Sequence, residues 1–177
     1  PNTNYKYRAY YEINKKMYGE QRTFATEESE SCTDGNHVHA VDLGLSVKWA
    51  CCNVGAGSPE GYGSYFAWGE TSSKSDYDWD TYKYSHDQYY ALTKYCDDSY
   101  YGYNGFTDNK TTLDMSDDAA RVNWGGSWRM PTRAEQDELR EKCTWTWTTL
   151  NGIKGYKVTS KSNGNSIFLP AAGYRNG

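Results

Sequence analysis

Whatever core this chain builds must be made largely of rings. Its 177 residues include 18 Tyr, 7 Trp and 4 Phe, while only 37% of the chain is hydrophobic. Tyr and Trp bury large apolar areas and keep a polar tip in water, which suits a thin-cored β-rich unit or a contact surface. Disordered chains lack such residues, so a disordered reading is set aside. The length allows one ordinary domain and a small neighbour. The formal charge is -4, with acids and bases interleaved. No Lys/Arg cluster could neutralise a run of phosphates, so nucleic acid is not an expected partner. The longest apolar runs, such as Ile167-Phe168-Leu169, are too short to cross a bilayer. An opening at Pro1-Asn2-Thr3 with no methionine reads as a mature or truncated segment.

The first 26 residues alternate with period two. Tyr5, Tyr7, Ala9 and Tyr11 fall on one face and Lys6, Arg8, Tyr10 and Glu12 on the other. Asn14-Lys15-Lys16 then reads as a turn and Met17 to Ala25 as a returning strand. Residues 28–39 are polar and aperiodic and read as a linker. From Ala40 the texture becomes Gly- and Trp-rich, with short strand-like pieces at Val41 to Leu45, Val47 to Ala50 and Tyr65 to Trp68.

Two helices can be placed. Ser116 is positioned to cap one, with Asp117 and Asp118 in its first turn and Gly125-Gly126 as its stop. Thr132 with Glu135 three residues on is a capping box, which predicts a second helix from Arg133 to about Lys142. Thr144 to Thr148, Gly155 to Thr159 and Ser166 to Leu169 read as strands, separated by turn signals at Asn151-Gly152 and Asn163-Gly164.

Five cysteines are present, Cys32, Cys51, Cys52, Cys96 and Cys143, with no C-x-x-C pair and no zinc-like spacing to histidine. An odd count leaves at least one free thiol or an intermolecular partner. Cys51 and Cys52, being adjacent, do not readily bridge to each other.

Two resemblances follow from longer words. Pro1 to Tyr10 (PNTNYKYRAY), then Tyr18-Gly19-Glu20 and Thr23-Phe24, resemble the last two strands of a fibronectin type III-like domain, with Tyr5 at the tyrosine corner. Val41 to Ala50 (VDLGLSVKWA), Cys52 to Ala56, Tyr65 to Thr71, Asn123 to Thr132 and Phe168 to Tyr174 are similar to the Fibrobacter succinogenes major paralogous domain family. The resemblance implies an α+β fold, a C-type-lectin-like domain with short strands and two helices over residues 40–177. It also implies that this domain continues past Gly177, and that residues 1–27 are the end of a β-sandwich module. It implies an exported bacterial surface protein on the outer membrane, tied to the membrane only by a lipid anchor outside this chain. It further implies a bridge between Cys52 and Cys143, with two buried thiols as the alternative.

No catalytic residue is expected. Arg129 to Glu135 resembles a segment of formylglycine-generating enzymes that serves there mainly as scaffold, and no Gly-x-Ser-x-Gly elbow, phosphate loop or His-Glu-x-x-His occurs. No cofactor or metal site is expected either. Calcium is the ion that the oxygens of Asp97-Asp98, Asp108-Asn109, Asp114 and Asp117-Asp118 would suit, although none of them matches an EF-hand loop.

The stretch from Tyr77 to Phe106 carries eleven rings among Asp, Ser, Asn and Gly. That is paratope chemistry: rigid amphipathic rings with small, adaptable polar neighbours. Either the rings cover a large inserted loop and its own core, or they form a contact surface made of Trp79, Tyr89, Tyr90, Tyr100, Tyr101 and Tyr103. The expected function is therefore non-catalytic binding of a glycan, peptide or partner protein. The alternatives are an accessory subunit of an outer-membrane nutrient transporter and a relic of a formylglycine-generating oxidase.

Overall fold

The computed structural model describes four short strands within residues 4–25, together with residues 32–34 and 37–175. It divides into two units, Pro1–Glu30 and Ser31–Gly177. In the first, β1 (Asn4–Tyr7) pairs antiparallel with Arg22–Ala25, and β2 (Tyr10–Glu12) with β3 (Lys16–Tyr18); the Arg22–Ala25 strand is β4. The two ladders differ in register by one residue, Tyr7 facing Arg22 while Tyr10 faces Tyr18. Lys16, expected in the turn, instead pairs with Glu12.

The second unit is α+β. It holds a three-stranded antiparallel sheet of β9 (Cys143–Leu150), β10 (Ile153–Ser160) and β11 (Ser166–Pro170), in the order β11-β10-β9. Two pairs of two-residue strands precede it as β5 to β8: Thr33–Asp34 with His37–Val38, and Ala40–Val41 with Trp49–Ala50. The expected linker therefore ends early. From Cys32 the chain is already folded into this unit, because Cys32 and Val38 are buried beside Cys52. Of the expected strands at Val41 to Ala50 only the two ends pair, and Tyr65 to Trp68 forms no strand.

Helix α1 is Ala119–Trp124 and α2 is Arg133–Lys142. Both arms of the expected capping box on α2 are present, and the Arg129 guanidinium holds the Glu135 carboxyl down at about 2. The first helix is capped by Asp118, whose carboxylate accepts from Ala120 and Arg121 N–H, and not by Ser116. Asn151 and Gly152 both adopt positive φ, the backbone a tight β9–β10 turn needs.

Leu43, Leu139, Cys143, Val158 and Ile167 form the main core, between α2 and the sheet. The loop before β8 is tied by long-range bonds to β10, to the β10–β11 turn and to α2. Ser160 Oγ donates to the Leu43 carbonyl at 2.6 Å, the Asn165 side chain donates to the Asp42 carbonyl at 2.8 Å, and the Ser46 N–H donates to Glu138 at 3.1 Å. Among the described residues no helix is long and apolar enough to cross a membrane.

The implied Cys52–Cys143 bridge is corrected. Cys143 lies in the main core and Cys52 in a separate cluster with Cys32 and Val38, so the two side chains never meet. The disulfide joins Cys32 to Cys51, and Cys52, Cys96 and Cys143 are buried free thiols. Burial pushes the thiols of Cys52 and Cys143 up. Closing a loop across 19 residues contributes roughly 3 kcal/mol in the chain-entropy picture.

Two measurements check this packing. Peptide mapping without reductant should link Cys32 to Cys51 and leave Cys143 open to alkylation only after unfolding; a Cys52–Cys143 peptide would overturn the assignment. Leu139→Ala, at a side chain only 3% exposed, should lower stability in urea by about 2–5 kcal/mol.

Candidate functional site

Between Tyr77 and Phe106 there is no α-helix and no β-ladder, only two short 3-10 turns, Trp79–Thr81 and Tyr103–Gly105. The stretch is ordered by backbone bonds that converge on Leu92. The Leu92 N–H donates to the Tyr101 carbonyl, and the Leu92 carbonyl accepts from the Tyr103 N–H, both at 2.8 Å. On the other side Thr93 N–H donates to the Tyr84 carbonyl at 2.9 Å and His86 N–H to the Ala91 carbonyl at 3.0 Å. Three loop segments therefore lie side by side. Gly102 permits the join, since a Cβ there would collide with the Phe106 backbone.

The floor of the stretch is a charged cluster. Asp117, only 3% exposed, accepts from Lys94 Nζ at 2.5 Å and from the Tyr95 hydroxyl at 2.7 Å, with Lys83 Nζ at 3.4 Å. Burial alone would raise its pKa. Lys94 and the other donors outweigh that and hold the carboxyl far below the usual carboxylate range, while Lys94 is pushed up by Asp114 and Asp117. Lys94 also lies 4.9 Å from the Tyr95 ring centre and 5.2 Å from that of Tyr84. Nearby, Glu70 accepts from Lys74 Nζ and from the Lys83 N–H, both at 2.9 Å. Tyr82 is pushed up to about 12 by burial, with the Glu70 carboxylate adding to the effect.

Above this floor the rings form one continuous chain of contacts. Tyr100 meets Tyr101 at 5.1 Å between ring centres, Tyr101 meets Tyr89 at 6.3 Å, and Tyr89 touches both Tyr90 at 4.9 Å and Trp79 at 6.4 Å. The chain continues through the half-buried Tyr82, Tyr84 and Tyr95 to Trp68, which is exposed again. Five of the six expected contact residues are thus brought together as an exposed ridge. Their exposures run from 42% at Tyr101 to 69% at Tyr100. Tyr103 is exposed too, but it stacks on His86 at 4.1 Å and makes no ring contact with the other five. At the far end of the chain of rings, Trp68 also lines an open cleft of about 1110 Å³ with Met115, Arg121, Trp128 and Met130.

The acids whose oxygens would suit calcium are largely engaged in holding the fold. Asp108 accepts the N–H groups of Tyr95, Cys96 and Lys110. Asp114 and Asp117 pair with lysines, and Asp118 caps α1 and accepts the Met130 N–H at 2.7 Å. Asp97 and Asp98 lie on the exposed surface, away from any convergent set of ligands. Among the described residues the carboxylates that converge are instead those of Asp76, Asp78 and Asp80, all exposed, with oxygens within 4.8 Å of one another. The alternating Asp-x-Asp-x-Asp spelling was the available signal for this trio. Exposed carboxylates are satisfied by water, so their convergence alone assigns no ion.

No family model matches the chain, and no curated protein or solved structure is significantly similar to it.

Asp117 generates a pH prediction. Its folded pKa is depressed, so its contribution to stability is complete above the unfolded value of about 3.9 and is lost as pH falls below it. Asp117→Asn should lower the urea midpoint at neutral pH and flatten the decline seen between about pH 5 and pH 2. A variant that keeps the wild-type acid limb would show that this carboxylate is not what anchors the aromatic stretch.

Proposed function

We propose that the chain is a non-catalytic binding module of an exported bacterial surface protein, built on a C-type-lectin-like unit, and that it recognises its ligand through the ridge of Trp79, Tyr89, Tyr90, Tyr100 and Tyr101. The observation that carries this reading is the exposure of those five rings while they hold one another in contact. Large apolar rings left on a surface cost solvation unless a partner covers them, and contiguous patches of them mark binding sites. Their mutual edge-to-face contacts and the hydrogen-bonded loops below limit the ordering that binding must still accomplish.

The α+β unit of one antiparallel sheet, two helices and long irregular loops is compatible with a lectin-type scaffold. The Arg129–Glu135 segment favours the scaffold reading of its enzyme-like motif, because both side chains are engaged in the entry to α2. The outer-membrane surface as its location rests on the family resemblance alone.

The test uses the full chain on immobilised glycan and peptide arrays. Tyr100→Ala with Tyr101→Ala should weaken whatever is bound by roughly tenfold or more while leaving the urea midpoint unchanged. Equal binding by the double variant would overturn the ridge as the site.

A further inference from the structure

We infer that the partner of this ridge is a basic protein segment, one that presents arginine or lysine side chains to the rings; the inference rests on the ridge being the binding surface. Six carboxylates are interleaved with the rings: Asp76, Asp78, Asp80, Asp87, Asp97 and Asp98, every one exposed. Asp78 and Asp80 flank Trp79, Asp87 precedes Tyr89 by two residues, and Asp97-Asp98 lead into Tyr100. None of the six has a lysine or arginine partner among the described residues. The stretch contains two cations of its own, Lys83 and Lys94, and both are drawn down to Asp117. The Lys83 side chain stays half exposed, so the surface is aromatic and predominantly anionic.

The same stretch shows how such a surface would hold a cation. Lys94 sits 2.6 Å from an Asp114 oxygen and 2.5 Å from an Asp117 oxygen, with the rings of Tyr84 and Tyr95 about it; Lys83 lies 4.6 Å from the Tyr84 ring centre. Tyrosine faces and carboxylates already take up ammonium groups there. The ridge repeats those two components outward, without the cation. Ring faces attract cations through their quadrupole, and the arginine guanidinium, planar and weakly hydrated, stacks on them best. The carboxylates would steer a basic segment in and disfavour an acidic one.

Ring geometry argues for a protein rather than a glycan. Tyr100 and Tyr101 are 89° apart in plane, and Tyr89 and Tyr90 are 85° apart. Successive rings thus present face and edge in turn, so they offer no coplanar platform along which consecutive sugar faces could stack. Side chains that approach one at a time fit such facets.

The experiment measures fluorescence anisotropy of the full chain, in EDTA, with three labelled probes: a short Arg/Gly peptide, the same peptide with citrulline for arginine, and a neutral cello-oligosaccharide. Two variants accompany the wild type. The first replaces Asp78, Asp80, Asp87 and Asp97 by Asn; these four side chains accept no hydrogen bond within the fold. The second is Tyr100→Ala with Tyr101→Ala. The arginine peptide should bind, weaken about tenfold or more with either variant, and weaken again as salt shortens the screening length. The citrulline peptide should bind at least about tenfold less tightly.

Three results would overturn the inference. Binding of the arginine peptide that survives the Tyr variant would be charge attraction alone. Oligosaccharide binding that is lost in the Tyr variant but indifferent to the Asn substitutions would leave the ridge as the site and make its ligand a glycan. No binding of the arginine peptide by a folded wild-type chain would remove the basic partner directly, and the array result with the Tyr variant would then decide the fate of the ridge separately.

Discussion

Asp117 is the contact on which the rest of the second unit turns. A carboxylate at that depth is costly to desolvate, and it is stable there only because Lys94 and the Tyr95 hydroxyl meet it directly. Its neighbour Asp118 faces the other way, capping α1 and accepting the Met130 N–H on the approach to α2. Two adjacent acids thus join three pieces of chain: the aromatic stretch, the first helix and the lead into the second. Asp117 ends the short 3-10 turn Met115–Asp117, and Asp118 leaves it with extended backbone, at φ -90 and ψ 113, before α1 begins.

This arrangement explains how thirty residues without regular structure can hold a defined surface. Leu92 supplies the backbone register, Asp108 closes the distal turn by accepting three N–H groups, and the ring chain fills the space between. Edge-to-face pairs suit such a filling because each ring sets its positive edge against a neighbour's negative face. The chain of rings that packs the stretch at its base continues, contact by contact, onto the exposed ridge. The half-buried rings support the stretch and the exposed ones face outward from it.

What could be read in the sequence was local. The capping box on α2 and the turns at Asn151-Gly152 and Asn163-Gly164 depend on residues a few positions apart, and the helix and the three-stranded sheet follow their spelling closely. The first helix starts two residues later than its spelling suggests because Ser116 and Asp118 are both competent caps; Asp117, between them, is held by Lys94, 23 residues away. The disulfide was hidden for a similar reason. Cys32 reaches Cys51 through His39, whose N–H donates to the Cys32 carbonyl and whose carbonyl accepts the Cys51 N–H, whereas Cys52 and Cys143 are separated by the packing of two distinct clusters. Composition singled out the residues of the ridge but not their order of contact, since Tyr89 meets Tyr101 across loops that only the Leu92 bonds bring together. Tyr103, equally exposed, was assigned to the same surface by spelling and is turned toward His86 instead.

The charge of the ridge follows from the same architecture. A stretch with two lysines and many aspartates could have distributed its cations over the surface and neutralised it in part. Instead the buried Asp117 demands compensation, and in a poorly solvated site that demand outweighs anything an exposed aspartate offers, because exposed ion pairs are worth little in water. Lys94 is accordingly taken inward and Lys83 leans the same way. The six aspartates interleaved with the ridge are left without lysine or arginine partners among the described residues, while Lys94 is shared between Asp114 and Asp117. An anionic aromatic face is thus what this fold produces when it satisfies its own interior.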